Sequence, residues 1–231
     1  MKKIFSFVFS LLISKLHIPK SQSIREVIDL YKNRDFSSQF VKIRFWDSPY
    51  LEVEKMVIKK GKVLELGCGE GIFSNYLAVK SPKRQVLGID LDRERIVEAD
   101  GGLNNAKFKY GDVTKLKLEK VDSIILFHLL HHLKSYKEQV ALIQKCVQSL
   151  NKNGQLVIVE VNVEFSIKYF VSWLVDCFIV PWLFEKKLFN TIFYQKRNEW
   201  EKILKDQNLK YKTHIIENGK PFTHIIIECT K

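Results

Sequence analysis

Cysteine is scarce in this chain. Cys68, Cys146, Cys177 and Cys229 are the four cysteines among 231 residues, and none belongs to a CxxC pair. That spacing supports neither a disulfide framework nor a zinc site, and reduced thiols in a cytoplasmic setting are the simplest reading. Five prolines, ten glycines and the lack of repeats or low-complexity tracts exclude a collagen-like, linker or solenoid chain. No apolar run reaches the ~18 residues that a membrane-spanning helix needs. Acidic side chains are in deficit, 26 against 38 lysines and arginines, which leaves a formal charge of +12. A basic surface favours phosphates, whether of nucleic acid or of anionic lipid. The lysines are spread along the whole chain, which equally fits a plain solvated surface. With 46% hydrophobic and 28% charged residues the chain is globular, and its length suits one domain with an extension.

Residues 1–20 read as an apolar-basic helix: Lys2-Lys3, then Ile4 to Ser14, then Lys15. The apolar part, ~10 residues, resembles a signal-peptide core, but no small-x-small cleavage site follows. A helix lying on a membrane surface, or packed on the domain, is expected instead. Residues 21–60 form a helical extension or lid. Within it Asp47 or Ser48 suits an N-cap and Pro49 a first helical position. Residues 61–231 form the main domain, with an apolar insertion at 163–195.

From Lys62 onward strand and helix alternate. Strands are expected near Lys62–Gly67, Gln85–Asp90, Lys107–Tyr110, Asp122–Phe127 and Gln155–Asn162. Helices are expected near Gly71–Lys80, Arg93–Ala99, Ser135–Leu150 and Arg197–Asp206. Continuous apolar strands such as Leu156-Val157-Ile158-Val159 signal a parallel sheet covered on both faces. Asn218-Gly219 between Leu209–Ile216 and Phe222–Cys229 predicts a hairpin. The expected fold is α/β: a doubly wound, Rossmann-like seven-stranded sheet, five parallel strands plus a C-terminal antiparallel hairpin, with helices on both faces.

The chain is organised around Val63-Leu64-Glu65-Leu66-Gly67-Cys68-Gly69-Glu70-Gly71. An apolar strand holding one carboxylate runs into alternate glycines and then a helix, so a ligand can approach the backbone and meet unpaired N–H groups. Asp90 follows about twenty positions later at the end of the second strand, where a carboxylate can accept from both ribose hydroxyls. Gly111-Asp112-Val113 follows the third strand. A dinucleotide fingerprint would need G-x-G-x-x-G/A, and Ile72 stands at its last position, which disfavours an NAD-dependent oxidoreductase.

These motifs, and the five-plus-hairpin strand pattern, resemble the class I S-adenosylmethionine-dependent methyltransferases. The resemblance implies S-adenosyl-L-methionine as cofactor. Its binding site would comprise Glu65, Gly67, Cys68, Gly69, Asp90, Leu91, Asp112, Val113 and Phe127, with Asp112 accepting from the adenine amino group and Glu65 shaping the methionine end. It also implies that Arg44 and Trp46, before the first strand, can cover the cofactor. Phe127-His128-Leu129-Leu130-His131-His132-Leu133 resembles the Leu- and His-rich segment of small-molecule methyltransferases. His131 and His132 are the candidate catalytic pair, as base or as orienting groups. On regular structure adjacent histidines cannot both point one way, so one of them is expected to cap or pack. No metal site is expected.

No Asp/Asn-Pro-Pro-Tyr type motif follows the fourth strand and no Pro-Cys pair exists, which argues against nucleobase methylation while leaving RNA ribose methylation open. The aromatic stretch Phe165–Phe184 suggests an apolar acceptor, and Lys168, Asp176 and Pro181 argue against its spanning a bilayer. The expected activity is O- or C-methylation of a small-molecule or lipid-like acceptor. The rivals are an RNA-associated methyltransferase and a non-catalytic membrane-surface protein of the same fold. The expected location is cytoplasmic, with membrane contact through residues 1–18 and 165–184.

Overall fold

The computed structural model describes residues 16–34, 37–179, 188 and 191–231. The N-terminal apolar segment up to residue 15, and much of the insertion's second half, lie outside the described residues. Seven strands form one sheet in the order β3-β2-β1-β4-β5-β7-β6. They are β1 (Gly61–Leu66), β2 (Arg84–Asp90), β3 (Ala106–Tyr110), β4 (Val121–Phe127), β5 (Leu150–Val161), β6 (Lys210–Ile216) and β7 (His224–Thr230). The first five pair in parallel, and β7 runs antiparallel to both β5 and β6. Strand order reverses between β1 and β4, so their carboxyl ends open the crevice where such sheets hold ligands. This is the doubly wound sheet expected from the alternation, hairpin included.

The helices are α1 (Gln22–Leu30), α2 (Ser37–Asp47), α3 (Tyr50–Met56), α4 (Ile72–Lys80), α5 (Arg93–Ala99), α6 (Tyr136–Ser149), α7 (Ile167–Leu174) and α8 (Arg197–Asp206). Successive strand side chains point to opposite faces, so each strand feeds two cores. Leu64, Leu66, Ile124, Leu126, Leu156 and Ile158 meet α6 (Leu142, Ile143, Cys146) and α8 (Trp200, Ile203, Leu204) on one face. Val63, Ile125, Phe127, Val157 and Val159 meet α1 to α4 on the other, through Ile24, Val27, Val41, Phe45, Tyr50, Val53 and Phe73. The segment before β1 is therefore built into the domain's second core.

Three boundaries differ from the sequence reading. Pro49 (φ −80°, ψ 45°) is the cap of α3 and Tyr50 its first residue. Asp47 closes α2, and its carboxylate is engaged by Arg44 and Ser48 instead of capping α3. Strand β5 begins at Leu150, paired with Val121, and shifts register before Gln155. The insertion carries α7 and a π turn, Val175–Ile179. Among the described residues no helix is long and apolar enough to cross a membrane, and no cluster of His, Cys, Asp or Glu could hold a metal ion.

Candidate active site

The glycine turn is a left-handed path that side chains resist. Gly67, Gly69 and Gly71 have φ of +71°, +53° and +69°, a region that costs an L-residue ~1–2 kcal/mol. A Cβ on Gly67 would lie 2.6 Å from Leu129, and one on Gly71 2.5 Å from the Phe108 ring. At Gly69 the space is open, with only the Arg95 guanidinium 3.7 Å away. The Gly69 N–H donates to Asp90 Oδ2 at 2.8 Å, while Asp90 Oδ1 accepts from the Asp92 N–H at 2.9 Å. The carboxylate at the end of β2 is thereby locked beside the turn. A carboxylate has about four acceptor positions, so further donors can be met.

Glu65 lies buried beneath the turn. Its Oε2 accepts a hydrogen bond from the Ser74 hydroxyl on α4. Burial pushes its carboxyl up to about 8, against the opposing pull of Ser74 and Arg44, because desolvation disfavours the charged form. A cleft of about 140 Å³ joins Glu65, Gly67, Cys68 and Gly69 to Arg44, Phe127, His131, His132 and Asp176. Of the other sequence candidates, Asp90 reaches this cleft through Gly69, Leu91 is exposed beyond it and Val113 is buried in the core. Asp112 also stands outside the cleft. One of its oxygens takes the N–H and hydroxyl of Thr114, and the other pairs with Lys115 at 3.1 Å.

Behind β4 the chain turns through His128, whose φ of +51° is rare for a residue with a side chain. A chain of hydrogen bonds holds it there. His224 Nε2–H donates to the Asp47 carbonyl at 2.9 Å. Its Nδ1 must then be the acceptor for His128 Nε2–H at 3.1 Å. That leaves His128 Nδ1 to accept from Arg44 Nη2 at 3.5 Å. The partners thus assign both tautomers. Burial pushes both imidazoles down, His224 to about 3 and His128 well below its usual value, so the chain is neutral. Arg44 is further held by Asp47 at 3.2 Å and by the Tyr50 hydroxyl at 3.3 Å. Burial opposes its charge, and Asp47 and Tyr50 more than restore it.

His131 sits in a single 3₁₀ turn, Leu130–His132, and is 1% exposed. Its Nδ1 is paired with Glu160 Oε2, and Glu160 Oε1 accepts from the Leu130 N–H at 2.8 Å. Its Nε2 faces Asp176 Oδ2 at 3.8 Å, and the Tyr194 hydroxyl donates to that same oxygen. Burial lowers the affinity of His131 for a proton, but the charge and hydrogen bond of Glu160, then Asp176, outweigh it and leave its pKa raised. The His132 ring lies 4.2 Å from that of His131, with burial pushing its pKa well down. Among the described residues its Nδ1 is buried without a hydrogen-bond partner. Both rings border one cleft, contrary to the sequence reading. A tight 3₁₀ turn entered from left-handed backbone does not impose the divergence that a strand or helix would.

Glu160, Tyr194 and His224 escaped the sequence reading, and His128 and Asp176 were named there without a role in the site. Glu160 carried the same signal as Glu65, one carboxylate inside an apolar strand. The other four come from the loop after β4, the insertion and β7, and no spacing along the chain joins them.

A family model described as a methyltransferase domain matches residues 40–214. Two curated relatives are similar over part of the chain. One is (S)-coclaurine N-methyltransferase of Thalictrum flavum subsp. glaucum, 29% identical over 113 residues, which are 46% of this chain and 30% of that protein. The other is ribosomal RNA small subunit methyltransferase C of Acinetobacter baylyi, 31% identical over 121 residues, which are 48% of this chain and 34% of that protein. The chain therefore spans about a third of the length of the curated relatives it matches. Among solved structures, a SAM-dependent methyltransferase of Methanosarcina mazei superposes with a TM-score of 0.61 at 22% identity, covering 78% of this chain and 96% of that one. Magnesium protoporphyrin IX methyltransferase of Synechocystis PCC 6803, solved with bound SAH, gives 0.63 at 18% identity, covering 91% and 95%. Human N-acetylserotonin methyltransferase, solved with SAM, gives 0.64 at 13% identity, covering 93% and 60%. With the family model covering most of its length and the class I methyltransferase sheet complete, this chain belongs to the methyltransferase domain family.

Proposed function

We propose that the protein transfers a methyl group from S-adenosyl-L-methionine to a hydroxyl, or to a carbon acid, of a small-molecule or lipid-like acceptor, with His131 as general base. The observation that carries this reading is buried His131, paired behind with Glu160, on the wall of the same cleft as the glycine turn. The residues fit the cofactor. Asp90 keeps acceptor positions beside the open face of Gly69, Glu65 lies under the turn, and the Arg44 cation borders the cleft. Asp90 would hold the ribose, and Arg44, Glu65 and the turn the methionine end. The adenine would extend past the cleft toward Leu91 and Asp112, while Val113, buried in the core, would support that edge from beneath. Bound there, the cofactor supplies a methyl group already activated by its sulfonium.

The chain's own task is to orient the acceptor, exclude water and take a proton. Orientation alone can contribute ~7–11 kcal/mol in favourable cases. Glu160 fixes the proton of His131 on Nδ1, so Nε2 is the atom that accepts from the acceptor hydroxyl, and it stabilises the imidazolium that results. Asp176 Oδ2, 3.8 Å beyond Nε2, favours the same imidazolium. The raised pKa means that the basic form is gained at a higher pH than for an ordinary imidazole. Several relatives and neighbours are named for small acceptors, which supports this class.

The rival is an RNA acceptor. It is favoured by the +12 charge and by the ribosomal RNA relative. The first experiment is calorimetric titration with S-adenosylmethionine and S-adenosylhomocysteine, with NAD as control. A labelled-methyl screen of hydroxylated small molecules, lipids and RNA then follows. Binding of the sulfur ligands alone, and labelling of a hydroxyl acceptor, are expected. A folded protein that binds neither ligand would sink the enzyme reading. RNA labelling with a steep salt dependence of binding would replace the acceptor class.

A further inference from the structure

Helix α7 is amphipathic in the reverse of the usual sense. Its inward face carries Tyr169 and Ser172, half-buried and buried, and half-buried Trp173 stands at the edge between the two faces. The Tyr169 ring lies 5.8 Å from Tyr194, whose ring is 5.1 Å from His131, and Asp176 in the following turn lines the cleft. The outward face is apolar. Phe165 is fully exposed, Ile167 83% and Phe170 57%, with Val171 and Phe178 exposed beside them. Ile167, Phe170 and Val171 follow the i, i+3, i+4 spacing of one helical stripe. These five are nearly half of the twelve large apolar side chains that are exposed among the described residues. Scattered exposed apolar residues are ordinary, but a cluster on one helix marks a contact surface.

We propose that this face docks on an anionic lipid bilayer. Three observations choose that occupant. The helix itself carries one charged side chain, Lys168, whose amino group donates to the Glu217 and Lys220 carbonyls; the flanking acidic groups are engaged, Glu164 by Asn162 and Asp176 by Tyr194, so it is the +12 charge of the whole chain that favours anionic headgroups. Trp173 stacks on Phe170 and meets Phe178 edge-on, both at 6.1 Å between ring centroids, an aromatic grouping suited to the interface between headgroups and acyl chains. Helix and turn together are ~20 Å long and ~10 Å across, a footprint well short of the ~800 Å² that each partner buries in a standard protein interface, whereas an amphipathic helix sinking ~5–10 Å into a bilayer needs no more. The docking does not depend on the methyl-transfer reading, although it would bring Asp176, which lines the cleft, close to lipid.

The test is flotation of the full chain with vesicles of phosphatidylcholine, with and without phosphatidylglycerol. The parent is compared with a variant carrying Ile167→Ser, Phe170→Ser and Val171→Ser. Those side chains are exposed in the free protein, so far-UV circular dichroism and S-adenosylmethionine titration should match the parent. The parent should float with the phosphatidylglycerol vesicles, and the variant's partition should fall by about tenfold or more. Equal partition of parent and variant, or no flotation with either vesicle, would overturn the proposal. Self-association of the parent that the same substitutions abolish would assign the face to a second copy instead. Loss of S-adenosylmethionine binding in the parent would strike the enzymatic reading and leave the flotation result standing.

Discussion

Replacing Glu160 by glutamine isolates the element on which the proposed chemistry turns. Glu160 is 1% exposed and has two tasks, accepting from the Leu130 N–H at 2.8 Å and holding His131 Nδ1. A glutamine whose carbonyl keeps the Leu130 bond must present its NH₂ to Nδ1. Two N–H groups cannot face each other, so the imidazole would move its proton to Nε2, and the nitrogen meant to act as base would become a donor. A hydrogen bond to a charged group contributes ~1.5–3 kcal/mol, which is a ~10–150-fold change in the ratio of imidazolium to imidazole. Burial, which favours the neutral ring, is left less opposed. The sign is definite: His131 should protonate at lower pH in the variant than in the parent. NMR titration of the imidazole resonances reads this without an acceptor. Once an acceptor is in hand, kcat should fall ~10²–10⁴-fold, the range for losing general-base assistance, with S-adenosylmethionine affinity unchanged. A His131 titration that stays in place, or a kcat within about twofold of the parent, would refute the role of the pair.

Asp90→Ala should weaken S-adenosylmethionine by ~1–3 kcal/mol in calorimetry, the scale for hydrogen bonds to a charged acceptor; unchanged affinity in a folded variant would remove Asp90 from the site. Gly71→Ala should cost ~2–5 kcal/mol in urea unfolding, because left-handed backbone and the clash with Phe108 add, whereas Gly69→Ala should cost only the backbone part, since its Cβ meets no carbon. Equal losses at the two glycines would contradict that geometry. Glu65 should make cofactor affinity rise with pH. Its carboxyl is mostly protonated below about 8 in the free protein, and a ligand cation close by would draw the proton off, so binding between pH 6 and 8 should release protons to buffer. Calorimetry in buffers of different ionisation heat measures that release, and Glu65→Gln should abolish it.

The order of strands and helices, the hairpin and the glycine turn were legible in the sequence because each is local. A buried parallel strand must be apolar throughout, a left-handed turn must use glycine, and a hairpin announces itself with Asn218-Gly219. The carboxylates of Glu65 and Asp90 were legible for the same reason, standing at defined offsets from that turn. Tertiary structure alone decided how the other half of the site comes together, although His131 and Arg44 were already candidates in the sequence. His131 comes from the loop after β4, Glu160 from β5, Asp176 and Tyr194 from the insertion, and Arg44 from a helix preceding the sheet. No spacing along the chain relates them, because the sheet order β1-β4-β5-β7 sets residues tens to hundreds of positions apart side by side. The rule that adjacent histidines diverge holds for regular backbone. It failed at His131 and His132 because His128 turns left-handed, held by Arg44 and by a histidine 96 positions away. Periodicity also could not say which face of α7 would be buried: its apolar stripe points to solvent because its other side, through Tyr169, is the one that packs toward Tyr194.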